Sequence, residues 1–269
     1  MGKKIIAERW QRGDAVGGGG QATVYKATEI DNPTEIFALK YLKKQDDIER
    51  RKRMLNNVKL LQNNHLISII DTNCNLYESE NVDLYYVTSY IEGCTLEKYC
   101  DENDIPFLEA LSLFKEMLKV VSYCHKKKIL HRDIKPENIM LKDNNLYDFV
   151  LIDFGLSFNS SEENCQETCT LSDQQLGNRF LLLPELVAGS KEQKRLYCSD
   201  ITQICGVFFY VLTGIIPNTL VDGEGKKPHQ RAQAFEILNK KISDSTVRNN
   251  VFVIFDKAFE YETANRFDD

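Results

Sequence analysis

Asp133 stands in the run His131-Arg132-Asp133-Ile134-Lys135-Pro136-Glu137-Asn138, and Asp153-Phe154-Gly155 follows a short distance on. A carboxylate able to take a proton, with an amide and a second carboxylate nearby as oxygen ligands, suits base catalysis beside a hard divalent cation. Upstream, Gly17, Gly18, Gly19 and Gly20 precede Ala22, Thr23 and Val24. Glycines let the backbone come close to a phosphate and aim N–H groups at it. Lys40, in Ala38-Leu39-Lys40, adds a cation. Taken singly, the glycines read as a flexible turn and the lysine as a solvated strand residue. In this order they supply what phosphoryl transfer requires: a backbone cradle, a cation, metal ligands and a carboxylate near the attacking hydroxyl. No Lys-Ser or Lys-Thr follows the glycines, which excludes a Walker A loop.

Residues with these tasks must be held by regular elements. Arg12 to Lys43 is strand-like, with β-branched and aromatic residues around Val24-Tyr25 and Ile36-Phe37 and a turn signal at Asp31-Asn32-Pro33. Asp46 to Leu61 has helical spacing at Ile48, Leu55 and Val58, with Arg50 to Arg53 on other faces. Leu66 to Ile70 and Leu84 to Thr88 read as further strands. Beyond Gly93 the texture turns helical. Pro106 opens a helix with Leu111, Phe114, Leu118 and Val121 on one stripe, and Ile204 to Leu212 is apolar all round, hence buried throughout. The expectation is a small strand-rich lobe with one helix, a join near Ser89 to Gly93, and a larger helical lobe.

At 269 residues the chain has room for one two-lobed domain, and 42% hydrophobic with 28% charged residues is ordinary for a globular fold. A net charge of -6 supplies no basic field for nucleic acid. Eight cysteines lack both CxxC pairing and zinc spacing with histidine, as reduced cytosolic thiols do. The start shows neither a secretory h-region nor a myristoylation signal, and Val207 to Pro217 is too short to cross a bilayer. A cytoplasmic protein without membrane insertion is expected.

The motif set resembles the eukaryotic-type serine/threonine protein kinases over nearly the whole chain. The glycine loop matches as Gly17-x-Gly19-x-x-Ala22-x-Val24, with alanine for the third glycine. The resemblance implies an α+β, two-lobed kinase fold: a small antiparallel sheet with one main helix, then a mainly α-helical lobe. It implies one domain over 1–269, with an N-lobe of about 1–88, a hinge of about 89–93 and a C-lobe of about 94–269. The family adds a helix after the position of Arg266, so a longer chain with further domains is expected.

By the same resemblance, Asp133 is the catalytic base, Lys135 meets the γ-phosphate and Lys40 the α- and β-phosphates, while Asn138 and Asp153 hold Mg²⁺, with Mn²⁺ as an alternative. Thr88 is the gatekeeper, Ser89 to Ile91 the hinge that reads adenine, and Val16, Val24, Ala38 and Met140 enclose the ring. Leu183-Pro184-Glu185 and Arg266 match a structural ion pair, and Asp200 and Gly214 mark the ends of a central buried helix. The implied activity is transfer of the γ-phosphoryl group of Mg-ATP to serine or threonine of protein substrates, with autophosphorylation. A nucleotide-binding pseudokinase is the alternative, and a kinase-like enzyme for small molecules a third class.

Two departures bear on that choice. The family pairs its strand lysine with a glutamate on the N-lobe helix; here forward counting gives Asn57, backward counting Met54, and Glu49 is the nearest acid. Asn178 stands where a threonine usually bridges the base and its lysine. Arg132, together with Ser160, Ser161, Thr168, Thr170 and Ser172, suggests control by loop phosphorylation, with Asp173 as a built-in acidic substitute.

Overall fold

The computed structural model describes residues 4–19, 22–41, 56–57, 59–76, 82–154, 158–159, 180–187 and 193–268. The alternating segments near the N-terminus form strands β1 (Lys4–Ile6), β2 (Trp10–Gly19), β3 (Ala22–Glu29) and β4 (Ile36–Tyr41), joined by β5 (Ile69–Thr72) and β6 (Tyr85–Ser89). Among the described residues they make one antiparallel sheet in the order β1-β2-β3-β4-β6-β5. The period of two sorts its side chains. Val24 lies opposite Lys40, Lys40 opposite Tyr86 and Ala38 opposite Thr88, so these residues share one face.

Leu39, Val87, Phe37 and Tyr85 occupy the other face, where Ile6, Trp10 and Ala27 complete a small core. Trp10 is fully enclosed and donates from Nε1 to Asp71 Oδ2 at 2.6 Å, which satisfies the polar end of a large apolar ring. Helical geometry is present at residues 56–57 and 59, within the expected helix of residues 46–61; the rest of that segment up to 55, with Glu49 and Met54, lies outside the described residues.

A second part begins with β7 (Gly93–Thr95) and α1 (Leu96–Glu102), which Thr95 caps by accepting from Lys98 N. Gly93 has φ 136°, and a Cβ there would stand 1.9 Å from the Leu141 carbonyl oxygen. The long helix α2 (Phe107–Lys126) starts after extended Pro106, as its sequence indicates. Its buried stripe is Ala110, Leu113, Phe114, Met117, Val120, Val121 and Cys124. The expected stripe shares Phe114 and Val121 with it, but Leu111 and Leu118 are only partly buried. The two stripes are neighbours with the same spacing, and the choice is made by α4 (Cys198–Thr213), whose Phe208 ring stacks on Phe114 at 4.4 Å.

Helix α4 is buried from Cys198 to Leu212, as its all-round apolar pattern requires, and ends at left-handed Gly214, φ 68°. Strands β8 (Ile129–Leu130), β9 (Ile139–Lys142), β10 (Phe149–Leu151) and β11 (Phe158–Asn159) form small antiparallel pairings, and β12 (Leu181–Leu182) runs parallel to β13 (Asn218–Thr219). The short α3 (Pro184–Val187), α5 (Ala232–Lys241) and α6 (Ser245–Ala258) complete the helical part. The two parts meet where Leu151 N donates to His65 O at 2.8 Å and Ile67 N to Leu151 O at 3.2 Å, immediately before Asp153. Among the described residues no helix is long and apolar enough to cross a membrane.

Candidate active site

The run His131 to Asn138 leaves β8 and passes over the N-terminal end of α4. Two polar residues of that helix face it from within the core. Asp200 accepts from His131 N at 2.9 Å and from Arg132 N at 2.7 Å, and its Oδ2 lies 3.0 Å from His125 Nε2. Burial pushes the Asp200 carboxyl up, but the His125 hydrogen bond and the His131 N–H outweigh it, leaving the group below its ordinary range. Gln203 accepts from Ile134 N at 2.9 Å and donates to Arg132 O at 3.1 Å.

Arg132 itself has φ 69°, a region sparsely used by side-chain-bearing residues. The hydrogen bonds from α4 hold that conformation. His131 is buried; its Nδ1 accepts from Asp133 N and its Nε2 faces Ile152 O at 3.1 Å, which assigns the proton to Nε2. Desolvation pushes its pKa down, so it stays neutral and ties Asp133 to the segment leading to Asp153.

These supports bring the expected catalytic residues together. Asn138 Nδ2 donates to Asp133 Oδ2 at 2.9 Å and to Asp133 O at 2.8 Å, and Lys135 Nζ lies 3.4 Å from Asp133 Oδ2. The amide nitrogen of Asn138 is committed to Asp133, so the atom of this side chain that could serve a cation is its carbonyl oxygen. Asn138 O accepts from Ile152 N at 2.9 Å, which ties the segment carrying Asn138 to the one carrying Asp153. Asp153 has φ 56° and its Oδ2 lies 3.4 Å from Lys40 Nζ. The Lys40 ammonium also stands 5.9 Å from the centre of the Tyr86 ring, the residue opposite it in β6.

One carboxylate and one amide carbonyl are few ligands for calcium but suit Mg²⁺, which takes most of its shell from phosphates and water. Asp153 and Asn138 fit that habit.

The adenine-facing candidates lie on the sheet face already described. Val24 and Ala38 are half-buried, Thr88 is buried in β6, Ser89 ends that strand exposed, and Ile91 follows half-buried. Met140 is half-buried in β9, opposite Thr95. Val16 is exposed in β2. Gly17, Gly18 and Gly19 pair with Val24, Thr23 and Ala22, so the glycine run is strand rather than open turn, while Gly20 lies outside the described residues.

Asn57 departs from expectation. It is fully buried, yet neither amide atom has a hydrogen-bond partner, so it does not hold Lys40. Asn178 and the hydroxyl-bearing loop, Ser160 to Asp173, lie outside the described residues, as does Gly155. Sequence reading passed over His125, Gln203 and Tyr86. For Tyr86 a signal existed, since it sits two residues before Thr88 on the same strand face.

The structural ion pair is present: Arg266 Nη1 donates to Glu185 Oε1 at 2.7 Å and Nη2 to Oε2 at 3.2 Å, both side chains being buried.

Comparison with known proteins shows the family. The family model for the protein kinase domain matches residues 10–267, and the chain belongs to that family. Serine/threonine-protein kinase PrkC of Bacillus subtilis is 32% identical over 227 residues, covering 82% of this chain and 32% of the relative. A probable serine/threonine-protein kinase, PknB of Lactococcus lactis, is 30% identical over 220 residues, covering 80% of this chain and 33% of its own. The chain thus spans about a third of the length of these curated relatives.

Proposed function

We propose that this domain is an ATP-dependent serine/threonine kinase in which Asp133 takes the proton of the attacking hydroxyl. The observation that carries the reading is the Asp133 carboxylate, held by Asn138 Nδ2 at 2.9 Å and approached by Lys135 at 3.4 Å, on a loop anchored to the buried helix α4. Asp133 Oδ2 receives both contacts, and the carboxylate is half-buried and reachable.

Lys135, beside the base, is suited to the γ-phosphate, and Lys40 to the α- and β-phosphates. Asn138 and Asp153 would hold Mg²⁺, or Mn²⁺ in its place, and the metal supplies charge neutralisation on the phosphates. The backbone of Gly17 to Gly20 would cover the phosphates, and Val16, Val24, Ala38, Thr88, Ser89, Ile91 and Met140 the adenine. The lobe division at about 89–93, protein substrates and a cytoplasmic location, where ATP is supplied, belong to the same proposal. Serine/threonine kinases among the relatives, and Lys135 two residues after the base, support the choice of acceptor.

The test is incubation of the protein with Mg-ATP and a generic protein substrate, read by intact mass. Additions of single phosphates to substrate or enzyme, confined to serine and threonine, are expected. ATP binding with no transfer to any of several substrates would replace this reading with the pseudokinase.

A further inference from the structure

Gln203 does more than fill the core. Its side-chain amide bridges the two peptide groups that flank Asp133: Nε2 donates to Arg132 O at 3.1 Å, and Oε1 accepts from Ile134 N at 2.9 Å. The Arg132 carbonyl belongs to the peptide plane before Asp133, and the Ile134 N–H to the plane after it. Those two planes set φ and ψ of Asp133, and therefore the direction in which its carboxylate leaves the backbone. One planar amide fixes both.

The amide is the side chain that can do this. One partner is a carbonyl and the other an N–H, so the site requires one donor and one acceptor a fixed distance apart, which also assigns the orientation of the group. Gln203 is buried on a fully buried helix, so its own position is set by packing and it cannot swing aside. Asp200, three residues earlier on the same helix face, holds the N–H groups of His131 and Arg132. The division of labour is clear: Asp200 secures the entry to the loop, and Gln203 secures the residue that carries the reaction.

We infer that Gln203 is a positioning residue for phosphoryl transfer, setting the aim of the Asp133 carboxylate through both flanking peptide groups. This rests on the reading of Asp133 as the base. Misplacement of a reacting group by about 1 Å can cost up to ~100-fold in rate, while nucleotide held by other residues is left undisturbed.

Two variants test it. Gln203→Met keeps length and bulk and loses both hydrogen bonds. It should lower kcat about tenfold or more with the KM for ATP within about twofold of wild type. Gln203→Glu gives a sharper reading. Protonated, the introduced carboxyl can still donate to Arg132 O and accept from Ile134 N; ionised, it turns an acceptor against the Arg132 carbonyl. Burial and the nearby Asp200 and Asp133 carboxylates favour its neutral form, against the opposing charge of Arg132, with His131 neutral. The variant should therefore work best at the acid end of the range and lose kcat as pH rises, a limb the wild type lacks.

Asp133→Asn is measured alongside. If it keeps most of the wild-type rate, the base assignment has failed. If it is inert while Gln203→Met turns over at the wild-type kcat, or Gln203→Glu follows the wild-type pH profile, the inference about Gln203 is overturned. Should Gln203→Met not fold, the pH profile of Gln203→Glu decides alone.

Discussion

Removing the guanidinium of Arg266 should be among the most destabilising single changes open to this domain. Its Nη1 and Nη2 engage both oxygens of Glu185, while Nε donates to Glu260 O at 2.7 Å and Nη2 to Tyr261 O at 2.9 Å. The two side chains are 0% and 3% exposed, so little water can replace what is lost. In Arg266→Met the Glu185 carboxylate would keep only the Ser199 hydroxyl, 2.8 Å away, among these partners. Breaking a buried pair from one side costs about 3–5 kcal/mol, because the remaining charge is stranded in low dielectric. Against a total of about 5–15 kcal/mol this is a large fraction, and at ~2–4 °C per kcal/mol the melting temperature should fall by about 10 °C.

The pairing makes a second demand. Removing both charges, in Glu185→Leu with Arg266→Met, should recover much of that loss, since the stranded carboxylate accounts for most of it. Thermal and urea unfolding of the two single variants and the double variant measure this. A single-variant loss below about 1 kcal/mol, or a double variant as unstable as the sum of the singles, would refute the reasoning.

Other expectations follow from the same geometry. Asn57→Leu should raise the melting temperature, since two unpartnered buried amide atoms cost about 1–3 kcal/mol each; a lower melting temperature would show that the amide is satisfied in solution. Stability should fall as pH drops below about 6.5, because the depressed pKa of buried His131 means that the unfolded chain binds the extra proton first, so stability present above that pH is lost in acid. His131→Asn should flatten that slope in melts recorded across the range. Asp153→Asn should abolish the Mg²⁺-dependent part of thermal stabilisation by ATP, and an unchanged Mg²⁺ dependence would remove it from the ligand set. Gly93→Ala should destabilise the junction before α1, as its Cβ would stand 1.9 Å from Leu141 O.

How far the sequence disclosed this protein depended on the distance over which each feature is assembled. Asp133, Lys135 and Asn138 lie within one short run whose spacing is chemically constrained, and the structure does bring them together. The buried helix was legible because Ile204 to Leu212 has no polar face to offer water. Supports built across the fold were not. Asp200 and Gln203 meet the loop at residues 68 to 71 positions away, and nothing in their local surroundings tells a core glutamine from one that bridges two backbone groups of that loop. Helix α2 shows a subtler limit, since two adjacent stripes share its spacing and only the packing of Phe208 on Phe114 selects between them. Counting along a helix points to Asn57 as a partner of Lys40, but counting does not reveal that its amide is buried without hydrogen bonds.

The central claim is that Asp133 performs base catalysis without binding the nucleotide. Steady-state transfer from Mg-ATP to a protein substrate, measured for wild type and Asp133→Asn together with ATP affinity by titration, tests it directly. The account predicts that Asp133→Asn loses phosphoryl transfer by about 100-fold or more, the usual worth of a positioned base, while ATP affinity stays close to wild type. A variant that retains most of the wild-type rate would contradict it.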